Sequence, residues 1–242
     1  MKGPALQIDN LSHRYGAHEA LCDVSLSVGQ GQFHALLGVN GAGKSTLFGL
    51  VTRLLGLQSG RIAVAGEPLG PRSLGRIGTV FQSRALDPEL TVRQNLTYHA
   101  ALHGIARRKA APRIEELLDA VALSDKAGAR VRSLSGGQAR RAEIARAMIH
   151  RPALLLLDEA TVGLDVGSRA DVMAMTRQMV ARDGAAVLWA THLLDEITPE
   201  DGLSVLHRGR LLWQGSAADF APGGDMQRAF LAATGKAEGA AA

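Results

Sequence analysis

The stretch GVNGAGKST, residues 38–46, has the residue types needed to hold phosphate: Gly38, Asn40, Gly41 and Gly43 in a flexible run, followed by Lys44, Ser45 and Thr46. It fits the pattern G-x-x-x-x-G-K-[ST]. In such a loop the glycines let the backbone curl until its N–H groups point at phosphate oxygens, and the positive end of the following helix adds potential. Lys44 is expected to reach the β and γ phosphates, Ser45 to ligate magnesium and Thr46 to bond the α phosphate. A second set of groups lies at ALLLLDEA, residues 153–160. Four leucines mark a buried strand, Asp158 at its end is suited to a magnesium shell, and Glu159 is placed to orient or deprotonate an attacking water.

A second glycine turn, SLSGGQARR at 133–141, is also composed like an anion site, with a serine, two glycines and a basic helix start. One phosphate loop needs no second one, so this stretch asks for another explanation.

These residues need a scaffold. FHALLG before the phosphate loop is an almost continuous apolar run, as expected of a strand buried on both faces, and IGTVFQ, ALLLLDEA and AAVLWATH repeat that texture. Each is followed by a helix or loop, which predicts an α/β fold with a mostly parallel sheet. ALQIDNLSHRYG, EALCDVSLSV and RIAVAGEPL alternate with period two, predicting an antiparallel sheet with one wet face. In that alternation Cys22 falls on the same face as Ala20, Val24, Leu26 and Val28, and is expected to be buried. From about 84 to 134 the segments TVRQNLTYHAALHGI and RIEELLDAVAL read as helices inserted into the sheet, and the chain closes with a hairpin, GLSVLHRGRLLWQG, and a helical DMQRAFLAAT.

Composition narrows the class. The 242 residues are 46% hydrophobic and 21% charged with a net charge of +4, which describes a folded chain with a modest basic excess. That excess is too generic to specify nucleic acid, and no direct nucleic-acid partner is expected. With Cys22 the sole cysteine, neither an intrachain disulfide nor a cysteine metal cluster is available. MKGPALQIDN lacks the apolar core of a signal peptide, and no apolar run approaches bilayer-spanning length, so a membrane role is expected to come through a partner.

Taken together, the phosphate loop, Gln82 in VFQSR, LSGGQ, the aspartate–glutamate strand, GLD at 163–165 and His192 in WATHLLDE occur in the order found in the nucleotide-binding subunits of ATP-binding-cassette (ABC) transporters, which the chain resembles from Tyr15 to about Gly215. The resemblance implies a P-loop NTPase core with an N-terminal antiparallel β subdomain (1–83 and 135–235 together forming the core), an inserted helical subdomain at 84–134 and a flexible tail at 236–242. It implies ATP and Mg2+ as ligands, a second ATPase subunit (identical or related) and an integral membrane permease as partners, and a cytoplasmic position at the inner face of the membrane. Site roles follow residue by residue. Tyr15 matches the aromatic that stacks on adenine, Gln82 the glutamine that senses magnesium and water, and His192 the switch histidine on the γ phosphate. Ser135, Gly136, Gly137 and Gln138 match the signature that caps a nucleotide held by the other subunit, which accounts for the second glycine turn, and Asp165 matches the loop that contacts that subunit. Ala139, Ala160 and Val166 depart from the residues common there without removing a catalytic group. Export by a separate permease is the expected direction, with import or soluble iron–sulfur assembly as alternatives.

Overall fold

The structure, a computed structural model, describes residues 3–239. In chain order it contains β1 (Leu6–Tyr15), β2 (His18–Val28), β3 (Phe33–Leu37), α1 (Lys44–Val51), β4 (Ser59–Val64), β5 (Glu67–Pro68), α2 (Pro71–Leu74) and β6 (Ile77–Val80). There follow α3 (Val92–Leu102), α4 (Arg107–Ala120), α5 (Gly136–Ala147), β7 (Leu154–Asp158), α6 (Val166–Asp183), β8 (Ala186–Thr191), β9 (Gly202–His207), β10 (Arg210–Ser216), α7 (Ala217–Phe220) and α8 (Met226–Gly239).

The strands form two sheets. One is antiparallel, in the order β2-β1-β4-β5; the other has six strands in the order β10-β9-β3-β8-β7-β6. In the larger sheet β9, β3, β8, β7 and β6 run parallel, and only β10 turns back antiparallel on β9. The four leucines of β7 show why its apolar run is unbroken. Leu154 and Leu156 enter the core shared with α1 and the antiparallel sheet, whereas Leu155 and Leu157 enter the core beneath α3, α4, α5 and α6. β8 splits its side chains the same way, Leu188 to the first core and Trp189 to the second. A strand covered on both faces has no wet face on which to place a polar residue.

Three local expectations are corrected. Cys22 is half-buried rather than part of the core. The pairing passes from Leu11–Val24 to His13–Leu21, which leaves one extra residue on β2, and Asp23 takes a positive φ of 51° at this bulge. The bulge moves the inward position from Cys22 to Leu21, which is buried. The second helix of the inserted segment starts at Arg107, well before the expected Arg113, and runs through Pro112. Pro112 and Arg108 are both exposed, so the carbonyl that loses its helical partner faces water. Last, the tail expected at 236–242 begins inside α8, which runs to Gly239, and ends outside the described residues.

Between β6 and β7 the described chain is helical. A buried ion pair ties this segment to the rest: Arg113 of α4 meets Asp183 at the end of α6, donates to the Met148 carbonyl at 3.0 Å and also pairs with Glu116 at 2.9 Å. Among the described residues, no helix is long and apolar enough to cross a membrane.

Asp183→Ala would leave the Arg113 guanidinium buried with only Glu116 as counter-charge. Loss of one member of a buried pair costs about 3 kcal/mol, so the urea midpoint of this variant should fall by that equivalent at unchanged slope.

Candidate functional site

β3 and β7 both end beside β8, with Leu37 opposite Thr191 and Asp158 opposite Ala190. The residues that follow these strands, Gly38, Glu159 and His192, therefore emerge side by side. Gly38 is required there because a Cβ would lie 2.6 Å from the Leu206 carbonyl oxygen. Gly43, with φ +109°, caps α1 where a Cβ would lie 2.8 Å from the Ala20 carbonyl. The loop thus lies against the backbone of β2 and β9, and glycine permits that approach.

Above it is a cleft of about 370 Å³ bordered by Tyr15, Asn40, Gly41, Gly43, Lys44, Ser45, Thr46, Gln82 and Glu159. Nine of the residues expected in a nucleotide site thus converge on one cavity. His18 and Ala20 of β2 border it too, and no motif marks either one. Tyr15 is 48% exposed, and its ring meets His13 edge-on at 4.8 Å, which leaves a face free for stacking.

Charge in the cleft is concentrated on a few groups. The buried Lys44 ammonium donates to the carbonyls of Gly38 at 2.6 Å and Val39 at 3.3 Å and pairs with Glu159 Oε1 at 3.3 Å. The same Glu159 oxygen meets His192 Nδ1 at 3.1 Å. Glu159 has φ +49°, unusual for a residue with a side chain, and is held so by its N–H on the Ala190 carbonyl. Its carboxylate is thereby turned toward Lys44 and His192 instead of continuing the strand.

Asp158 Oδ2 accepts from Ser45 Oγ at 3.3 Å, while its Oδ1 is buried without a hydrogen-bond partner. Burial first, and the adjacent Glu159 second, push its carboxyl above the usual carboxylate range, against the Ser45 hydrogen bond and the Lys44 charge. A hard cation answers that imbalance, so the oxygens of Ser45 and Asp158 fit magnesium.

The end of β8, just before His192, is held by a buried carboxylate. Glu196 accepts from Trp189 Nε1 at 3.0 Å and from the hydroxyls of Thr161 and Thr191, which ties together the segments carrying Glu159 and His192. Glu196 was not an expected site residue, since in sequence it is an acidic residue after a turn.

The second glycine turn lies elsewhere: Ser135, Gly136, Gly137, Gln138 and Asp165 do not border the cleft. Ser135 caps α5, accepting from the Gln138 N–H at 3.2 Å while Gln138 Oε1 accepts from the Ser135 N–H at 3.0 Å. Asp165 caps α6 through the Ser168 N–H at 2.9 Å. A Cβ on Gly137 would lie 3.0 Å from Ser168 Oγ and one on Gly136 3.3 Å from Leu164, so the two helix starts abut. From α5, Arg140 donates to the Phe81 carbonyl at 2.9 Å and to Glu143 at 2.7 Å, and Glu143 accepts the Ala85 N–H at 2.9 Å. This buried pair grips both sides of Gln82. Its sequence signal is two opposite charges three residues apart on a helix, a pattern far more common on solvated faces.

Comparisons with known proteins agree with this geometry. A family model described as ABC transporter matches residues 21–162. Nod factor export ATP-binding protein I of Rhizobium sp. (strain N33) is 40% identical over 220 residues, 89% of this chain and 72% of that protein. Methionine import ATP-binding protein MetN of Myxococcus xanthus (strain DK1622) is 40% identical over 208 residues, 83% of this chain and 63% of that protein. A solved ATP-binding subunit of an ABC transporter superposes with a TM-score of 0.84 at 27% identity, covering 95% of this chain and 99% of that one.

The raised pKa of Asp158 carries a sign that can be measured. A carboxyl with a folded pKa above its unfolded value holds more protons when folded, so it disfavours the folded state at neutral pH and that penalty fades as pH falls. Asp158→Asn should therefore raise nucleotide-free stability at pH 7 by about 1 kcal/mol, with the gain shrinking on acidification. Thermal melts between pH 5 and 8 check both.

Proposed function

From the premise that the chain belongs to the ABC transporter family, as one of its ATP-binding and ATP-hydrolysing subunits that power transport, we propose that two such subunits close head to tail around ATP and drive export through a separate membrane permease. The observation that carries this reading is the separation of the two glycine turns. Lys44, Ser45, Gln82 and Glu159 border one cleft, and Ser135–Gln138 lie outside it at the start of α5.

Each residue then has a task. The N–H groups of the loop from Asn40 to Thr46 and the Lys44 ammonium hold the phosphates, and Tyr15 supplies a face for adenine. Magnesium, when bound, neutralises charge shared by the β and γ phosphates. Ser45 and Asp158 are the side chains that would hold it, with Gln82 at the rim of the cleft. Glu159 orients the attacking water and takes its proton, and its rotamer is fixed by Lys44 and His192. His192 then faces the γ phosphate as a second donor.

In the partner subunit, the Ser135 oxygen accepts the Gln138 N–H, so its one hydroxyl proton is available to a γ phosphate from across the interface. Asp165 holds the neighbouring helix start against the signature. Beside Asp165, the apolar side chain of Val166 is 80% exposed, as suits a surface covered by a second subunit. The two subunits are identical or related chains, held at the cytoplasmic face of the membrane by the permease.

Export is the direction proposed because a Nod factor export protein is among the relatives; a methionine import protein is equally identical, so the transport assay decides between the two directions. The test is to purify the tagged chain from gently solubilised membranes. A multi-spanning protein in comparable amount is expected, and inside-out vesicles carrying the pair should accumulate substrate on adding ATP. Exclusively soluble partners would overturn the transport assignment, and uptake in the opposite sense would overturn export.

Three variants probe the chemistry. Glu159→Gln should retain ATP, elute as a stalled dimer and release phosphate at least about a hundredfold more slowly. A mixed dimer pairing Ser135→Arg with Lys44→Ala should recover activity absent from either uniform dimer, since one complete site then forms between the two chains; equal inactivity of the mixture would refute the shared site.

A further inference from the structure

We propose that His99, His103 and His150 form a site for a divalent transition metal of the zinc class, separate from the nucleotide cleft. His99 lies on α3, His103 one turn further at its C-terminal cap, and His150 after α5. One ring nitrogen from each lies within 4.8 Å of the others. The His103 and His150 rings are 3.8 Å apart with planes 5° from parallel, and His99 packs edge-on to His103 at 4.7 Å.

The chemistry of His150 sets the donor. Its Nε2 meets the Ile77 carbonyl at 3.1 Å, and because a carbonyl only accepts, Nε2 carries the proton. Nδ1 is then the lone-pair atom, and it is buried without a hydrogen-bond partner. A backbone carbonyl that fixes the tautomer of a histidine and leaves its other nitrogen unpaired is the usual support behind a metal ligand.

Three neutral imidazoles and one open position suit zinc, with Zn–N distances of about 2.0–2.1 Å, better than magnesium or calcium, which prefer oxygen. Contraction to that distance requires rotation of the side chains, and His103, the most open of the three, is freest to turn. Arg146 is the charge facing the cluster that opposes a cation, and Glu143 partly offsets it. A bound ion would tie α3 to the segment between α5 and β7 and, through Ile77, to the edge strand β6 of the larger sheet.

The test titrates Co2+, a coloured stand-in, into the metal-free full chain without nucleotide. We expect one ion per chain with the visible bands of a four-coordinate site of three nitrogens and a water, displaced by Zn2+. Binding should weaken at least about tenfold in His99→Ala and in His103→Ala and stay unchanged in Asp158→Asn. Zn2+ should raise the Tm of the unsubstituted chain, slow hydrogen exchange across 92–104, and do neither in His103→Ala, whose metal-free Tm should match the unsubstituted chain. Equal Co2+ affinity in the unsubstituted chain and His103→Ala, or binding lost in Asp158→Asn, would overturn the site.

Discussion

Everything at the nucleotide cleft depends on the parallel register of β3, β8 and β7. The three strands end level, so the chain leaves each at the same edge of the sheet and the phosphate loop, Glu159 and His192 become neighbours without any local sequence contact. Open α/β sheets place ligands at the carboxyl ends of their strands for this reason. Side chains on both faces hold that register. A slip of one residue would exchange Leu155 and Leu157 with Leu154 and Leu156, moving each pair into the core shaped for the other.

The cleft concentrates charge that its own groups satisfy incompletely. One oxygen of Glu159 is shared by Lys44 and His192, and Asp158 keeps a buried oxygen without a partner. Phosphate and its cation would answer both features, since the lysine gains a counter-anion and the aspartate a counter-cation. The protein thus carries in its ligand-free form a site poorer in compensation than its core, a pattern typical of places where function constrains stability.

α5 connects this cleft to more distant parts of the chain. Its first turn holds the signature, its middle holds the Arg140–Glu143 pair on the backbone either side of Gln82, and the chain just beyond its end carries His150 against α3. A movement of the helix would act on the backbone around Gln82 and on the end of α3 together. This coupling runs through buried, hydrogen-bonded contacts that rearrange between discrete states more readily than they stretch.

Much of this was legible in the sequence, because phosphate chemistry and two-sided burial are written locally. GVNGAGKST declares a loop by its glycines and its lysine, LLLLD declares a strand with no wet face, and alternation declares the antiparallel sheet. What the sequence left open depends on residues far apart in the chain. A bulge set by pairing with β1 took Cys22 out of the core, solvent around Arg108 let α4 run through Pro112, and Glu196, Arg140 and Glu143 became buried partners only once other segments closed over them. Composition and spacing determined which chemical groups the chain has and in what order. Tertiary structure decided which of them share an oxygen, which stand alone and which three histidines meet, because those are distances between segments that no local pattern encodes.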